Sequence, residues 1–240
     1  MNSFFLFYML NQNNSDSIFV IIPFYNENTV IREVIERLLP YNYKIILVDD
    51  GSTKSPVDIL SDINPLHYLR HKVNLGQGAS IQTGIDFALQ KGAKWLVTFD
   101  ADGQHLASDI ESLLLPLQNN EADICIASRF LEKGKHNATK GRKITLKVGR
   151  WVNYFFTGLF LSDAHNGLRA MNRLAAEKIN LKENRMAHAT EFLLAIKKNK
   201  LRYKEVSASV LYSDYSREKG QSVFSSIRIF FDLVLHKLFE

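Results

Sequence analysis

One cysteine stands among the 240 residues, Cys125 in the apolar run ADICIAS. An internal disulfide is therefore excluded, a reducing compartment is the expected setting, and the thiol reads as a small core side chain. No run reaches the roughly 20 uncharged apolar residues that cross a bilayer, so an integral membrane protein is not expected. The apolar start MNSFFLFYML lacks a basic leader and a cleavage site, and residues 1–16 are taken as a tail. Neither sign of charge dominates: 30 Lys and Arg against 25 Asp and Glu give a net +5, which suits anionic ligands or headgroups without selecting a partner. Internal repeats and low-complexity tracts are also lacking, and 46% hydrophobic residues suffice for one sizeable core.

What is there is an alternation. From Ser17 to about Phe130 the apolar runs IFVIIPF, KIILVDD, KWLVTFDAD and ADICIAS alternate with the helical patterns NTVIREVIERLL, SIQTGIDFALQKG and DIESLLLPLQ. That order predicts an α/β domain with a Rossmann-like, mostly parallel central sheet and helices on both faces. The strand runs are apolar throughout, as burial on both faces requires. Two of them end in paired acids. Open α/β sheets bind ligands beyond the carboxyl ends of their strands, so these acids are expected to share one crevice. After a basic linker, LEKGKHNATKGRK, a helix is expected near Met186–Asn199 and a strand near Leu201–Tyr212. The main domain is bounded at 17–221, and residues 222–240 are expected to form a C-terminal amphipathic helix.

Four motifs carry the chemistry. In PFYNEN, Pro23 is expected to stop a strand, Asn26 to cap the next helix and Glu27 to sit in its first turn, roles that capping alone explains. In VDDGS, Asp49 and Asp50 close a buried strand. A turn needs one acid, so the second suggests an acceptor for a base or ribose. NLGQGASIQTG is no dinucleotide fingerprint, because Ile81 fills the third glycine position. It reads instead as a helix N-terminus approaching a pyrophosphate or sugar, with Gly76 and Gly78 permitting close contact. In FDADGQH, Asp100 and Asp102 at a strand end would repel each other unless a cation or donor groups neutralise them. A hard divalent ion, Mg2+ or Mn2+, takes such oxygen ligands and completes its shell with substrate phosphates.

The order PFYNE, DDGS, NLGQGAS, DADGQH resembles the family 2 glycosyltransferases of GT-A fold, and most closely the dolichyl-phosphate mannosyltransferases and polyprenyl-phosphate sugar synthases. The likeness covers about residues 17–222. It implies a nucleotide-sugar donor, UDP or GDP, and a nucleoside pocket lined by Pro23, Tyr25, Glu27 and Asp50, with Asn74, Gly76 and Gly78 in the adjoining loop. Asp100 would face the ribose or metal, and Asp102 with Gln104 nearby would hold the metal. ASRF places Arg129 beside the sugar, DAHNGLRAMNR places Asp163, Gly167 and Arg169 in the acceptor segment, and SREKGQS offers Arg217 and Lys219 as a diphosphate clamp.

The resemblance implies an inverting, in-line transfer. A lipid-phosphate acceptor is already a nucleophile; a hydroxyl of a glycan would need a base, for which Asp163 and Glu191 are the candidates. The implied partners are the donor and a polyprenyl-phosphate or glycan acceptor, not nucleic acid. Lys143, Lys147 and Arg150 precede an aromatic run, and 222–240 is apolar around most of its circumference. Both fit peripheral attachment at the cytoplasmic face of a membrane, or docking on protein. Nucleotidyl transfer would want a glycine- and lysine-rich loop after the first strand, which PFYNEN does not supply. A non-catalytic binding domain would not need both Asp100 and Asp102.

Overall fold

In the computed structural model the described residues are 17–64, 66–131, 150–151, 153–155, 157–164, 166–183, 187–209 and 211. The amphipathic segment 222–240, the linker after Glu132, Arg217 and Lys219 lie outside them. Seven strands form one sheet: β1 (Ile18–Phe24), β2 (Lys44–Asp49), β3 (Leu66–Arg70), β4 (Trp95–Thr98), β5 (Ile124–Ser128), β6 (Arg169–Asn172) and β7 (Tyr203–Ser207). Their order is β3-β2-β1-β4-β6-β5-β7, parallel except for β6, which runs antiparallel to both β4 and β5.

The unbroken apolar character of β1 follows from burial on both faces. Val20, Ile22 and Phe24 pack with α1 (Ile31–Leu38) and α4 (Asp109–Gln118) in one core. Phe19 and Ile21 face the other, with α3 (Gln77–Gln90), α5 (Arg173–Lys178) and α6 (His188–Lys198). A short α2 (Val57–Leu60) lies between β2 and β3. Gly84 lets α3 sit directly on β1, since a Cβ there would overlap the Ile21 side chain. Burial of Cys125 in the first core pushes its thiol up to about 12, which suits packing and not nucleophilic chemistry.

Two local expectations are corrected. The strand does not stop at Pro23: pairing with β2 continues through Pro23 and Phe24, while pairing with β4 ends at Ile21. Ile21 and Pro23 present their backbone groups to the same side, so the missing N–H falls where the β4 ladder has already ended. Asn26 is not the helix cap either. Its φ is 56°, its N–H donates to Ser52 Oγ, and its Oδ1 accepts from Thr53 N and Oγ1. Asn26 therefore ties the first motif to the second, and α1 begins later, with Glu33 and not Glu27 in its first turn.

The antiparallel strand went unrecognised in the sequence. It inserts between β4 and β5, pairs Thr98 with Arg169 and Ile126 with Arg169, and so brings the start of β6 to the carboxyl edge of its parallel neighbours. Asp123 pins the far end of this insertion. Its carboxylate accepts from Arg202 N, Nε and Nη2 and from Asn172 Nδ2, joining β5 to the segments leading into β7 and out of β6.

The hydrogen-bonded Arg202 guanidinium holds the Asp123 carboxyl down at about 2, against 3.8 ordinarily. A folded-state value below the unfolded one contributes stability that is full above about pH 4 and is lost as pH falls toward 2. Asp123→Asn should cost about 2 kcal/mol at pH 7 by urea denaturation, the order expected for hydrogen bonds to a charged group. The gap to wild type should narrow between about pH 4 and pH 2; a gap independent of pH would contradict this role for the ion pair.

Candidate active site

The carboxyl ends of β1, β2, β4 and β5 and the start of β6 meet at one edge. There an open cleft of about 70 Å³ is lined by Asp100, Asp102, Gln104, His105, Arg129, Asn166 and Gly167. That space accommodates a hydrated ion or a phosphoryl group.

Asp100 follows β4 and is held on both oxygens. Gln77 Nε2 donates to Oδ1 at 3.2 Å and His105 Nε2 to Oδ2 at 3.0 Å. Gly167 closes a third side, because a Cβ there would overlap both carboxylate oxygens. Gly167 is placed in turn by its carbonyl, which accepts from Thr98 Oγ1 at 2.7 Å. Burial pushes the Asp100 carboxyl up, but the His105 hydrogen bond and the charges of His105, Arg169 and His188 outweigh it and leave it below the usual carboxylate range. Asp102 differs. It accepts from Gln104 N at 3.0 Å and Gln104 Nε2 at 2.8 Å, and burial, then the Asp100 charge, push its carboxyl up. Two neighbouring acids are thus driven apart in acidity.

Positive charge comes from Arg129 in the lining of the cleft and from the buried Arg169. Arg169, at the start of β6, is 3% exposed, donates Nε to Asn166 O at 2.9 Å and stacks its guanidinium 4.5 Å from the Phe192 ring. Burial lowers it to about 10, partly countered by Asp100 and Asp163, so it stays charged at neutral pH. Arg129, just past β5, grips Asp163 with Nε at 2.7 Å and Nη2 at 2.8 Å. Asp163 also accepts from Arg129 N and Asn166 Nδ2. The turn beneath it is fastened by Glu205 of β7, which accepts from Ser162 N, Ser162 Oγ and Asp163 N.

Asp50 turns toward the glycine loop. Its Oδ1 accepts from Leu75 N at 2.9 Å and His71 Nδ1 at 2.8 Å, and its Oδ2 accepts from Gly76 N at 2.6 Å. Gly76, at φ 105°, has a backbone only glycine adopts readily, and its N–H is thereby committed to protein. The close approach that Gly78 permits is also to protein: a Cβ would overlap the Glu183 carbonyl and press on His188 Cβ. Asn74 is exposed beside the 73–74 backbone that crosses Gly51, and Tyr25 is exposed at the end of β1, with Glu27 half-buried two residues on. Glu191 does not line the cleft, and its oxygens accept from Lys182 N and Glu183 N.

Of the expected residues, the structure gathers Asp100, Asp102, Gln104, Arg129 and Arg169 with Asp163 behind Arg129; Pro23, Tyr25, Glu27, Asp50 and Asn74 lie along the neighbouring ends of β1 and β2. Leu211 N donates to Gln104 O at 2.8 Å. Sequence reasoning gave no role to Gln77, His71, His105, Asn166 or Glu205. His105 and Gln77 stood inside quoted motifs, whereas nothing local marked His71 or Glu205.

Carboxylates at the carboxyl edge of a mostly parallel sheet, with Arg129 past β5 and Arg169 on the inserted antiparallel strand, define a GT-A-type glycosyltransferase. The model for glycosyl transferase family 2 matches residues 19–180, and the chain belongs to that family. An uncharacterized protein of Methanocaldococcus jannaschii is 35% identical over 96% of this chain and 96% of its own. A UDP-N-acetylglucosamine–dolichyl-phosphate N-acetylglucosaminyltransferase of Methanococcus voltae is 32% identical over 92% of this chain and 96% of its own. Among solved structures, mannosyl-3-phosphoglycerate synthase from Rubrobacter xylanophilus superposes with a TM-score of 0.57 at 12% identity, over 92% of this chain and 74% of that one, a likeness of fold.

Gly167→Ala tests the packing of Asp100. The methyl group must displace that carboxylate or the 166–168 backbone, and misplacing a reacting group by an ångström costs about 100-fold. Transfer activity should fall by about that factor, with a much smaller change in thermal melting. Activity equal to wild type would show that Asp100 tolerates displacement.

Proposed function

We propose that the enzyme moves a sugar from a UDP- or GDP-sugar to the phosphate of a polyprenyl phosphate, with inversion, at the cleft between Asp102 and Arg129. The observation that carries the acceptor assignment is the commitment of both carboxylates expected to act as base. Asp163 is bound by the Arg129 fork and Asn166, and Glu191 by backbone N–H groups of 182–183. A hydroxyl acceptor must lose a proton, and a phosphate monoester need not, because it arrives as an anion. The Methanococcus voltae relative, named for a dolichyl-phosphate acceptor, supports the same choice.

The donor set at the acidic turn suits a divalent ion. Asp100, Asp102 and the Gln104 amide offer hard oxygens, and the raised Asp102 carboxyl marks a negative charge not fully offset by protein. Among the described residues no group of three or more His, Cys, Asp or Glu side chains is placed to hold a metal ion, so in this reading the ion would draw its remaining ligands from phosphates and water. Mg2+ or Mn2+ bound there would neutralise charge developing on the departing diphosphate. The chain's own part is orientation: Asp102 fixes one side of the cleft, Arg129 presents positive charge to phosphoryl oxygens, the buried Arg169 adds its charge to the field at Asp100, and the Asp163 fork keeps Arg129 in place. Arg217 and Lys219 add to that clamp in this reading.

Attachment to the cytoplasmic face of a membrane completes the proposal. Among the described residues no helix is long and apolar enough to cross one. Trp151 and Phe155 are 64% and 84% exposed, and Trp151, Tyr154 and Phe160 make edge-on contacts with one another beside Arg150. Such aromatic clusters with a flanking cation suit the headgroup region.

The test is a screen of UDP- and GDP-sugars with Mn2+ against polyprenyl phosphate and the matching neutral polyprenol. Product should form from the phosphate alone and disappear with chelator. Asp102→Ala should lower turnover by at least about 100-fold, the range for loss of a charge-stabilising group, with an unchanged circular dichroism spectrum. Transfer to the neutral alcohol or to a glycan would overturn the acceptor, and undiminished turnover by Asp102→Ala would overturn the site.

A further inference from the structure

Asp100 owes its orientation to a side chain that lies on another element and in another motif. Gln77 opens α3 immediately after Gly76, is itself half-buried, and reaches across to donate Nε2 to Asp100 Oδ1 at 3.2 Å. The start of α3 is fixed from behind. Gly76 N and Leu75 N donate to Asp50, and His71 bridges Asp50 Oδ1 at 2.8 Å and Thr83 Oγ1 of α3 at 2.9 Å. A continuous polar chain therefore runs from Thr83 through His71, Asp50, the Gly76 backbone and Gln77 to Asp100, and ends on His105 at the opposite carboxylate oxygen. The three motifs after β2, β3 and β4 are joined by it.

We propose that Gln77 is a positioning residue for Asp100, through which the glycine loop, and not the β4 end alone, sets the angle of the carboxylate beside Asp102. Three contacts confine that carboxylate, and they are unequal. Gly167 blocks motion by its backbone, His105 is 6% exposed and stacks edge-on at 5.5 Å against the buried Phe99, and Gln77 alone reaches the carboxylate from a helix, at the start that the glycine loop holds. Loss of the Gln77 amide leaves Oδ1 without that donor and lets the carboxylate swing about its remaining His105 bond. A carboxylate in its place would set like charge against Asp100 at hydrogen-bond distance. Gln77 itself need touch neither substrate nor ion.

This inference rests on the proposed ion site at Asp100 and Asp102, and the experiment separates the two. Mn2+ is titrated into the full-length protein, free Mn2+ being read by electron paramagnetic resonance, in the presence of saturating UDP and in a parallel series of GDP. The proteins are wild type, Gln77→Met, Gln77→Glu and Asp102→Ala. Groups that orient a metal ligand without touching the metal are worth about 10–100-fold in metal affinity. Gln77→Met should weaken Mn2+ binding about 10-fold, and Gln77→Glu, which keeps the shape and adds a like charge, should weaken it further. Both should leave metal-free nucleotide binding, measured by calorimetry, and the melting temperature unchanged. In turnover, kcat should fall at a given Mn2+ concentration and recover toward wild type as Mn2+ is raised for Gln77→Met.

Wild-type Mn2+ affinity in both Gln77 variants, with binding abolished in Asp102→Ala, would overturn the positioning role and leave the ion site standing. Absence of Mn2+ binding by wild type would overturn both. Equal loss of metal-free nucleotide binding would also overturn it, by showing that Gln77 serves the loop and not Asp100.

Discussion

Two neighbouring carboxylates, one pushed down in acidity and one pushed up, set the terms for everything at the carboxyl edge of the sheet. Left alone, Asp100 and Asp102 would repel each other in a partly buried cleft, and burial would penalise both charges. The protein resolves the conflict for one of them. Asp100 receives donors from two elements and the field of Arg169 and His188, while Asp102 keeps only its own turn through Gln104. Asp100 is thereby held as a carboxylate by the protein itself, while the charge of Asp102 stays opposed by burial and by its neighbour.

That asymmetry depends on an insertion. Were β5 paired directly with β4, the wall opposite the acids would be another carboxyl end of a parallel strand. Placing β6 between them in the opposite sense brings an N-terminal strand end to the same edge, and with it Gly167 and Arg169. Gly167 is small enough for Asp100 to lie against its Cα, and Arg169 is near enough to stay charged in spite of burial. The reversal of one four-residue strand thus supplies both the tight packing around Asp100 and the counter-charge beyond it.

The parallel framework was legible because its strands are buried on both faces, so IFVIIPF, KIILVDD, KWLVTFDAD and ADICIAS announce themselves without any long-range information. The helix expected near Met186–Asn199 and the strand after it are His188–Lys198, whose apolar residues recur on one face, and Tyr203–Ser207, which is only partly buried. The four residues RAMN have neither the length nor a distinguishing pattern to signal β6. Local chemistry also misled where a side chain had two uses. Asn26 next to an incipient helix suggests a cap, but the hydroxyl and N–H of Thr53, 27 residues on, captured its oxygen. Asp163 and Glu191 looked like available acids because the groups that occupy them, Arg129 and the 182–183 backbone, lie 34 and 8–9 residues away. A sequence shows which acids stand at strand ends; which of them will find donors is decided by packing.

Both halves of the cleft combine backbone and side-chain contacts. On the side of β1 and β2, Asp50 accepts from Leu75 N, Gly76 N and His71 Nδ1, and Asp49 accepts from Ser52 N and the Tyr68 hydroxyl and pairs with Arg70, which fastens the loops there. Across the cleft, Glu205 fixes the 162–163 turn through Ser162 N, Ser162 Oγ and Asp163 N, so that Asp163 can hold the Arg129 fork. Backbone hydrogen bonds give a rigid contour, and an ion pair gives a charged group with a defined direction. The reaction proposed above, in which a diphosphate leaves and a second phosphate attacks, asks for both, a fixed contour for the departing group and directed positive charge for the arriving one, and the acids at this edge serve both ends by holding N–H groups and arginines together.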